Sequence, residues 1–472
     1  MLFSGIPFLF YFLPIFMILY IIVPKNMKNI ALLLGSLFFY AWGEPKYVVL
    51  MLIEIAVTYI LGILIEKEHE KSNSKNSKFA KLYVTFSVVF SLGILGYYKY
   101  ADFFITSFNQ AFNIDIKLLR VALPVGISFY TFQTLSYTID VYRKDAKAQK
   151  SFIALATYIV MFPQLIAGPI VRYTDIENEL TTRKHDLDNV AYGIRRFVIG
   201  LGKKVIIANT LGEIVKEYTA LTDKTVLYVW IYAVCVSLQI YFDFSGYSDM
   251  AIGIGKMIGF NFPENFRYPF QSKSATEFWR RWHITLGSWF RDYLYIPLGG
   301  NRVGNVRHII NILIVWFATG MWHGAAWNFI IWGLYFAVFL VIEKYCLNKY
   351  LSKLKGINHI YLCIIVMISF MIFDASSMQV AISNIKMFVG IGNVEFLNVE
   401  SIYCLKNYGF LILIAIIGAT EIPAKIVSKI KMQKCATVVV DVCEILFLLI
   451  IMIVSTAFLV NGSYNPFLYF RF

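Results

Sequence analysis

From His308 to Ile342 the chain runs almost unbroken through apolar residues, with Gly320-Met-Trp-His323-Gly-Ala-Ala-Trp327-Asn328 at the centre. One straight helix of that length would rise roughly 50 Å at ~1.5 Å per residue, against the ~30 Å hydrocarbon thickness of a bilayer. The run must therefore tilt steeply, break or fold back, and Gly320 and Gly324 are the natural break points. The consequence is an ionisable imidazole at membrane depth between the indoles of Trp322 and Trp327. An ionisable side chain there costs about 2.5 kcal/mol or more unless it faces a partner or a cavity, which makes His323 a candidate for function. The plainer account is a packing histidine, hydrogen-bonded to a carbonyl at a helix break.

The rest of the chain supports a membrane reading. Its 472 residues are 58% hydrophobic and 15% charged, too little polar surface to coat a soluble globule of this size. The expectation is an all-α polytopic membrane protein with about eleven spans plus re-entrant and interfacial helices. Apolar runs suited to spans lie near 7–23, 29–42, 46–65, 80–98, 121–141, 152–170, 226–242, 308–342 (broken), 358–373, 403–420 and 436–460. Basic clusters follow several of them: Lys25 and Lys28, Lys67 to Lys81, Arg143 to Lys150, Lys344 to Lys355, and Lys425 to Lys434. Placing all five in the cytoplasm gives a consistent alternation, with the N-terminus, 101–119, 375–402 and the C-terminal tail outside. Arg307 and Lys344 are then both cytoplasmic. That makes the His323 run a hairpin with His323 at a re-entrant apex and arms too short to reach the far surface comfortably; a single broken crossing is the alternative.

Several function classes drop out. The net charge of +14 follows from cytoplasmic basic loops, and without a soluble basic domain nucleic-acid binding is excluded. No basic region precedes Phe8 and further spans follow, so the first apolar run reads as a retained span and not a cleaved signal. Six cysteines (235, 346, 363, 404, 435 and 443) form no C-x-x-C pair and argue neither for disulfides nor for metal. There is no Walker A loop, no G-x-S-x-G elbow and no H-E-x-x-H pair. With no linker or repeat, residues 1–472 read as one membrane domain.

Between residues 171 and 307 the simple pattern of spans fails. Gly193 to Val215 is amphipathic and carries Arg195, Arg196, Lys203 and Lys204, as a helix in the headgroup layer would. Asp243 and Asp249, in Tyr241-Phe-Asp-Phe-Ser-Gly-Tyr-Ser-Asp249, must be paired or wet at that depth, and an ion pair with a nearby arginine is the structural account. Asn261 to Phe270 is too rich in proline and asparagine for a span. In the segment after it, helical spacing puts Trp279, Trp282 and His283 on one face, with Arg280 and Arg291 elsewhere. Trp and Arg anchor an interfacial helix, but basic groups beside a histidine also suit a phosphorylated ligand.

Five stretches together resemble the membrane-bound O-acyltransferase family, in its bacterial alginate O-acetyltransferase-like branch. They are Leu123 to Gln133, Phe162 to Arg172, Tyr241 to Asp249, Phe278 to Asn301 (Phe-Trp-Arg-Arg-Trp-His-Ile-Thr-Leu-Gly-Ser-Trp-Phe-Arg-Asp-Tyr-Leu-Tyr-Ile-Pro-Leu-Gly-Gly-Asn) and Met321-Trp-His323-Gly. The resemblance implies a ring of helices around a central tunnel, in the cytoplasmic (inner) membrane of a bacterium and surrounded by its lipids. It implies that His323 stands at the family's catalytic histidine, with His283 in the same tunnel, lined further by Asp243, Trp279, Arg280, Arg281, Trp282, Trp322 and Asn328. Members take an acyl group from a cytoplasmic thioester, here acetyl-CoA or an acyl-carrier-protein, and pass it outward with an extracytoplasmic SGNH-type partner to a polysaccharide. No bound cofactor or metal is implied. The tail Asn465 to Phe472 is similar to the ending of a small peptide that works beside the D-alanine-exporting relatives, which suggests Tyr469 as an acyl relay; an interfacial aromatic anchor is the plainer reading.

The expected chemistry is general-base catalysis, because a neutral imidazole can take the proton of an attacking hydroxyl. Trp322, Trp327, Asn328 and His283 are candidate donors to the developing oxyanion. Arg280 and Arg281 would hold the donor's phosphates. The alternatives are D-alanine export to a cell-wall polymer from a carrier-protein thioester, a transporter or flippase with a His323, Asp243 and Asp249 path, and a scaffold.

Overall fold

The computed structural model describes residues 1–72, 77–351, 353–354, 356–392, 394–431, 437–462 and 465. Among them every regular element is helical. Among the described residues seven helices are long and apolar enough to cross a membrane: Tyr47–Lys71, Lys78–Phe112, Val226–Met257, Trp327–Leu347, Ile357–Asp374, Val399–Gly418 and Val438–Val460. The chain is thus an all-α polytopic membrane protein.

Four of the expected runs give shorter or interrupted helices. The first is a π-helical turn, Pro7–Phe12, running into Leu13–Ile22. Lys28–Ala41, at 14 residues, rises only about 21 Å. The run at 121–141 becomes helical only at Ile127, because Gly126 turns the chain at φ 78° just before it. The run at 152–170 stops at Val160, where Met161 leaves the helical region and Pro163 enters the next short turn, Phe162–Leu165.

The chain divides into two compact units, Met1–Phe197 with Met250–Pro263, and Val198–Asp249 with Glu264–Phe472. Two of the boundaries fall inside the helices Leu187–Gly202 and Val226–Met257, which is why no linker marks them in the sequence.

The first unit is held by an aromatic cluster in which Phe162 meets Phe12 at 5.3 Å and Phe16 at 5.1 Å, with Phe8 against Phe39 at 5.8 Å. A Cβ on Gly126 would lie 2.6 Å from the Leu165 carbonyl oxygen, so the Leu123–Gln133 and Phe162–Arg172 motifs touch backbone to backbone. Tyr20 donates to the Ile258 carbonyl at 2.8 Å and receives a bond from Arg183 at 2.7 Å, tying 250–263 to the N-terminal helices.

The second unit is built around a hairpin, Asn305–His323 and Trp327–Ile342. Its arms run antiparallel in direct backbone contact. A Cβ on Gly333 would lie 2.3 Å from the Trp316 carbonyl oxygen, and one on Gly320 2.5 Å from that of Phe329. Small residues at a crossing allow this approach, which is how helices associate where lipid offers no hydrophobic drive. The first arm begins at Asn305, ahead of the apolar run, and a π-helical turn, Glu343–Leu347, extends the second. Each then rises about 28–32 Å, so the arms are long enough for a full crossing, contrary to the expectation of short ones. Polar end residues that an apolar-run count omits supply the difference. Where the open ends meet, His308 Nε2 contacts Tyr295 Oη at 2.9 Å and Nδ1 contacts Tyr345 Oη at 2.8 Å.

Candidate active site

His323 is the last residue of the first hairpin arm. The chain leaves the helix there through extended backbone at Gly324 and Ala326 and re-enters it at Trp327. The imidazole is buried in a box of edge-on rings: Trp332 at 4.8 Å between centroids, Trp322 at 5.1 Å and Phe373, from Ile357–Asp374, at 5.5 Å. A second imidazole, His283, lies at 6.5 Å. The two histidines singled out in the sequence, forty residues apart, therefore meet in one unit.

His283 does not share a helix with Trp279, as its spacing suggests. The helix Ala275–Arg281 ends before it, Trp282 is extended, and His283 sits at φ 44°, a left-handed conformation uncommon for a residue with a side chain. The break is stitched from a distance. Arg267 donates its backbone N–H to the Arg281 carbonyl at 2.9 Å, and Ile284 donates to the Asn265 carbonyl at 3.0 Å, before the next helix, Ile284–Phe290, begins. Asn265, fully buried, also receives the His283 ring. Its Oδ1 accepts from the backbone N–H of Thr285 at 3.3 Å and from Thr285 Oγ1 at 2.9 Å, and lies 3.1 Å from His283 Nδ1. A backbone N–H can only donate, so the atom it meets is the amide oxygen, and Nδ1 must carry the proton that faces it. His283 lies outside the spans, and burial, then the nearness of His323, pushes its imidazole well below the usual range. The neutral ring thus has Nδ1–H bound and Nε2 as a bare lone pair, buried and with no partner among the described residues. It can accept at Nε2 but not donate, which removes it from the oxyanion donors expected in the sequence.

The other candidates sort by their contacts. Trp279 packs on the hairpin through Trp316 at 4.6 Å and Phe336 at 4.9 Å, and Trp282 is core, against Phe266 at 5.1 Å and Phe370 at 5.2 Å. Arg280 is exposed, whereas Arg281 pairs with Glu277 at 2.8 Å and Glu421 at 3.9 Å. Asn328 spends its amide on the carbonyls of Phe373 and Ala375, both at 3.2 Å, so it fastens the end of a neighbouring helix instead of offering a donor. Trp327 is more than half exposed. Asp243 is in a buried ion pair with Lys204 at 2.6 Å, and Asp249 pairs with Lys203 at 2.7 Å; the partners are lysines, not the arginines expected. Charges held in pairs make a poor proton path. Among the described residues no three His, Cys, Asp or Glu side chains converge as a metal site would need. Tyr469 lies outside the described residues.

Three residues escaped the sequence reading. Asn265 sits in a segment noticed only for not being a span. Trp332 is buried against His323, with an indole Nε1–H that finds no partner among the described residues. Glu343, buried in the π-helical turn, accepts from the backbone N–H of Ala275 and Thr276 and from Thr276 Oγ1, anchoring the start of the helix that leads to His283.

A family model for the membrane-bound O-acyltransferases matches residues 8–383. The chain belongs to that family. It is 42% identical over 386 residues to a protein of Azotobacter vinelandii described as "probable alginate O-acetylase AlgI", covering 81% of this chain and 76% of that one. A Pseudomonas putida protein of the same description is 36% identical over 490 residues, the full length of both. A Helicobacter pylori peptidoglycan O-acetyltransferase is 32% identical over 438 residues, 84% of this chain and 81% of that protein. The protein is accordingly a membrane O-acyltransferase. Both histidines, Trp332, Asn265 and Glu343 fall within the residues that the family model covers.

Proposed function

We propose that this O-acyltransferase takes an acetyl group from a cytoplasmic thioester, acetyl-CoA, and delivers it across the bacterial cytoplasmic membrane to an extracytoplasmic hydroxyl. An SGNH-type partner outside the membrane then places it on a cell-surface or secreted polysaccharide. The relatives matched over most of the chain are named for O-acetyl transfer to two different glycans, which supports acetyl over D-alanyl and a glycan as the final acceptor.

The observation that carries the reading is the pair of buried imidazoles, 6.5 Å apart, at the tip of a membrane hairpin. In the proposed step the acceptor oxygen bonds to the thioester carbonyl carbon while its proton passes to His323. The tetrahedral intermediate collapses with loss of the carbon–sulfur bond, and the leaving thiolate takes the proton back from the His323 imidazolium. General-base help of this kind is worth about 10²–10⁴-fold. The Trp332 indole N–H is the donor for the oxyanion, since it is buried beside His323 and otherwise unspent among the described residues. Arg280, exposed, is the side chain for the donor's phosphates, and Arg281 serves only by leaving its acidic partners.

Purified His323→Ala tests the reading. It is expected to fold as the wild type does and to lose acetyl transfer from acetyl-CoA. Normal transfer by the folded variant would overturn it.

A further inference from the structure

We infer that Asn265 is a positioning residue that keeps His283 in one neutral tautomer, with Nδ1–H bound and Nε2 presented as a hydrogen-bond acceptor to the reacting groups. The inference deepens the proposed acyl transfer and rests on it.

The arrangement is built, not incidental. Asn265 is fully buried, and its side-chain oxygen gathers three donors: Thr285 N–H, Thr285 Oγ1–H and His283 Nδ1–H. Its backbone carbonyl accepts from Ile284, so residue 265 grips the chain on the far side of His283 as well. The left-handed backbone at His283, φ 44°, is a conformation that surroundings must enforce. Phe244, edge-on at 4.7 Å, confines the ring further. With these contacts the imidazole has one way to sit and one nitrogen left to work with.

That nitrogen is useful only while it carries no proton. With ring centroids 6.5 Å apart and ring atoms about 1 Å from each centroid, the nitrogens of His283 and His323 are at least about 4 Å apart, too far for a direct hydrogen bond. An acceptor hydroxyl entering the space between them has one proton to give, and the His283 Nε2 lone pair can hold it as a hydrogen bond until it passes to His323. A charged His283 would instead present a donor and a second positive charge, opposing the charge His323 must take up. The titratable groups on the elements around the ring are Tyr241, Asp243 and Tyr247 on the long helix, Glu264, Arg267 and Tyr268 beside Asn265, Arg280 and Arg281 ahead of the break, and His323 on the hairpin. Of these only His323 bears on the charge of His283, and it disfavours it. The orienting partner is thus a neutral amide, where a carboxylate would hold the ring equally well but charge it.

The test is the pH profile of Asn265→Asp in the full-length protein, purified in lipid nanodiscs, read as thiol release from acetyl-CoA with the acceptor partner present. A carboxylate at hydrogen-bond distance raises a histidine's pKa by about 1–3 units. Protonated His283 is the inactive form, so the acid limb of kcat is expected to move upward by about 1 unit or more, with activity recovering toward high pH. An acid limb that coincides with the wild type in a folded Asn265→Asp would overturn the inference, since loss of scaffolding alone lowers activity without moving the limb. Should the aspartate variant not fold, Thr285→Val removes one donor from the same oxygen at equal volume. It is expected to lower kcat several-fold with KM for acetyl-CoA unchanged, and a wild-type kcat would equally refute the role. If the wild type releases no thiol, the acyl-transfer reading itself fails, an outcome distinct from an unmoved limb.

Discussion

The ion pair between Lys204 and Asp243 offers a test of how this unit is held together and of whether Asp243 touches substrate. The two charges are 2.6 Å apart, with side chains only 2% and 4% exposed. Removing one member of such a pair strands the other in a low-dielectric interior and costs about 3–5 kcal/mol. Lys204→Met and Asp243→Leu should each fall in that range, a loss of roughly a thousandfold in the folded-to-unfolded ratio. Replacing both should recover nearly all of it, because the desolvation of two charges no longer has to be offset. A remainder of about 1 kcal/mol is expected, since Lys204 Nζ also donates to Asn209 Oδ1 at 3.0 Å and that acceptor loses its donor in the double variant. The neighbouring pair, Lys203 with Asp249, is 25% and 13% exposed, and breaking it should cost less, on the order of 1–2 kcal/mol. Unfolding in mixed micelles titrated with SDS gives the stabilities of the four forms, and acetyl transfer is measured on the same samples. Costs that simply add in the double variant would refute the mutual dependence of the two charges. A stable double variant without transfer would return Asp243 to the substrate path that the sequence suggested.

Trp332→Phe keeps the ring against His323 and removes the indole N–H, so kcat should fall by about 10²–10³-fold with folding intact; unchanged kcat would dismiss it as the oxyanion donor. Glu343→Gln leaves one oxygen for the donors of Ala275 and Thr276, stranding at least one buried backbone N–H. It should cost about 2–4 kcal/mol, and a wild-type melting temperature would contradict the anchoring role. If Tyr469 relays the acyl group, intact-mass measurement after incubation with acetyl-CoA shows an acetyl adduct that Tyr469→Phe lacks; no adduct on the wild type, or an undiminished one on the variant, excludes the relay.

Much of the fold could be read from runs of apolar residues, since each span must satisfy its backbone internally and therefore shows as an unbroken stretch. The hairpin at His323 was legible for the same reason: no single helix can use a run that long. Two side chains whose partners the apolar pattern hides stand at the start of π-helical turns. Lys204 belongs to one, Lys203–Ala208, and Glu343 to another, Glu343–Leu347. Lys204, which periodicity assigns to a headgroup-facing surface, faces inward onto Asp243 instead. Likewise Glu343, at the polar end of an apolar run, caps a helix more than sixty residues away in sequence.

The two histidines show a different limit. His323 carries its own signal, an imidazole in an apolar run, and needs no neighbour to be noticed. What His283 can do is set by residues 265 and 285, and nothing in the local pattern Arg280-Arg281-Trp282-His283 says which ring nitrogen holds the proton. Helical spacing even puts it on a face with Trp279; the helix ends first because Arg267 and Asn265, 14 and 19 residues earlier in the chain, claim the backbone groups of Arg281 and Ile284. By sequence alone an aspartate at position 265 is a conservative replacement, similar in size and able to accept the same bonds. By geometry it is the change that turns an acceptor into a donor and puts a second charge beside His323. In the proposed mechanism the neutrality of one buried amide, as much as the presence of two imidazoles, is what leaves His283 Nε2 free of a proton.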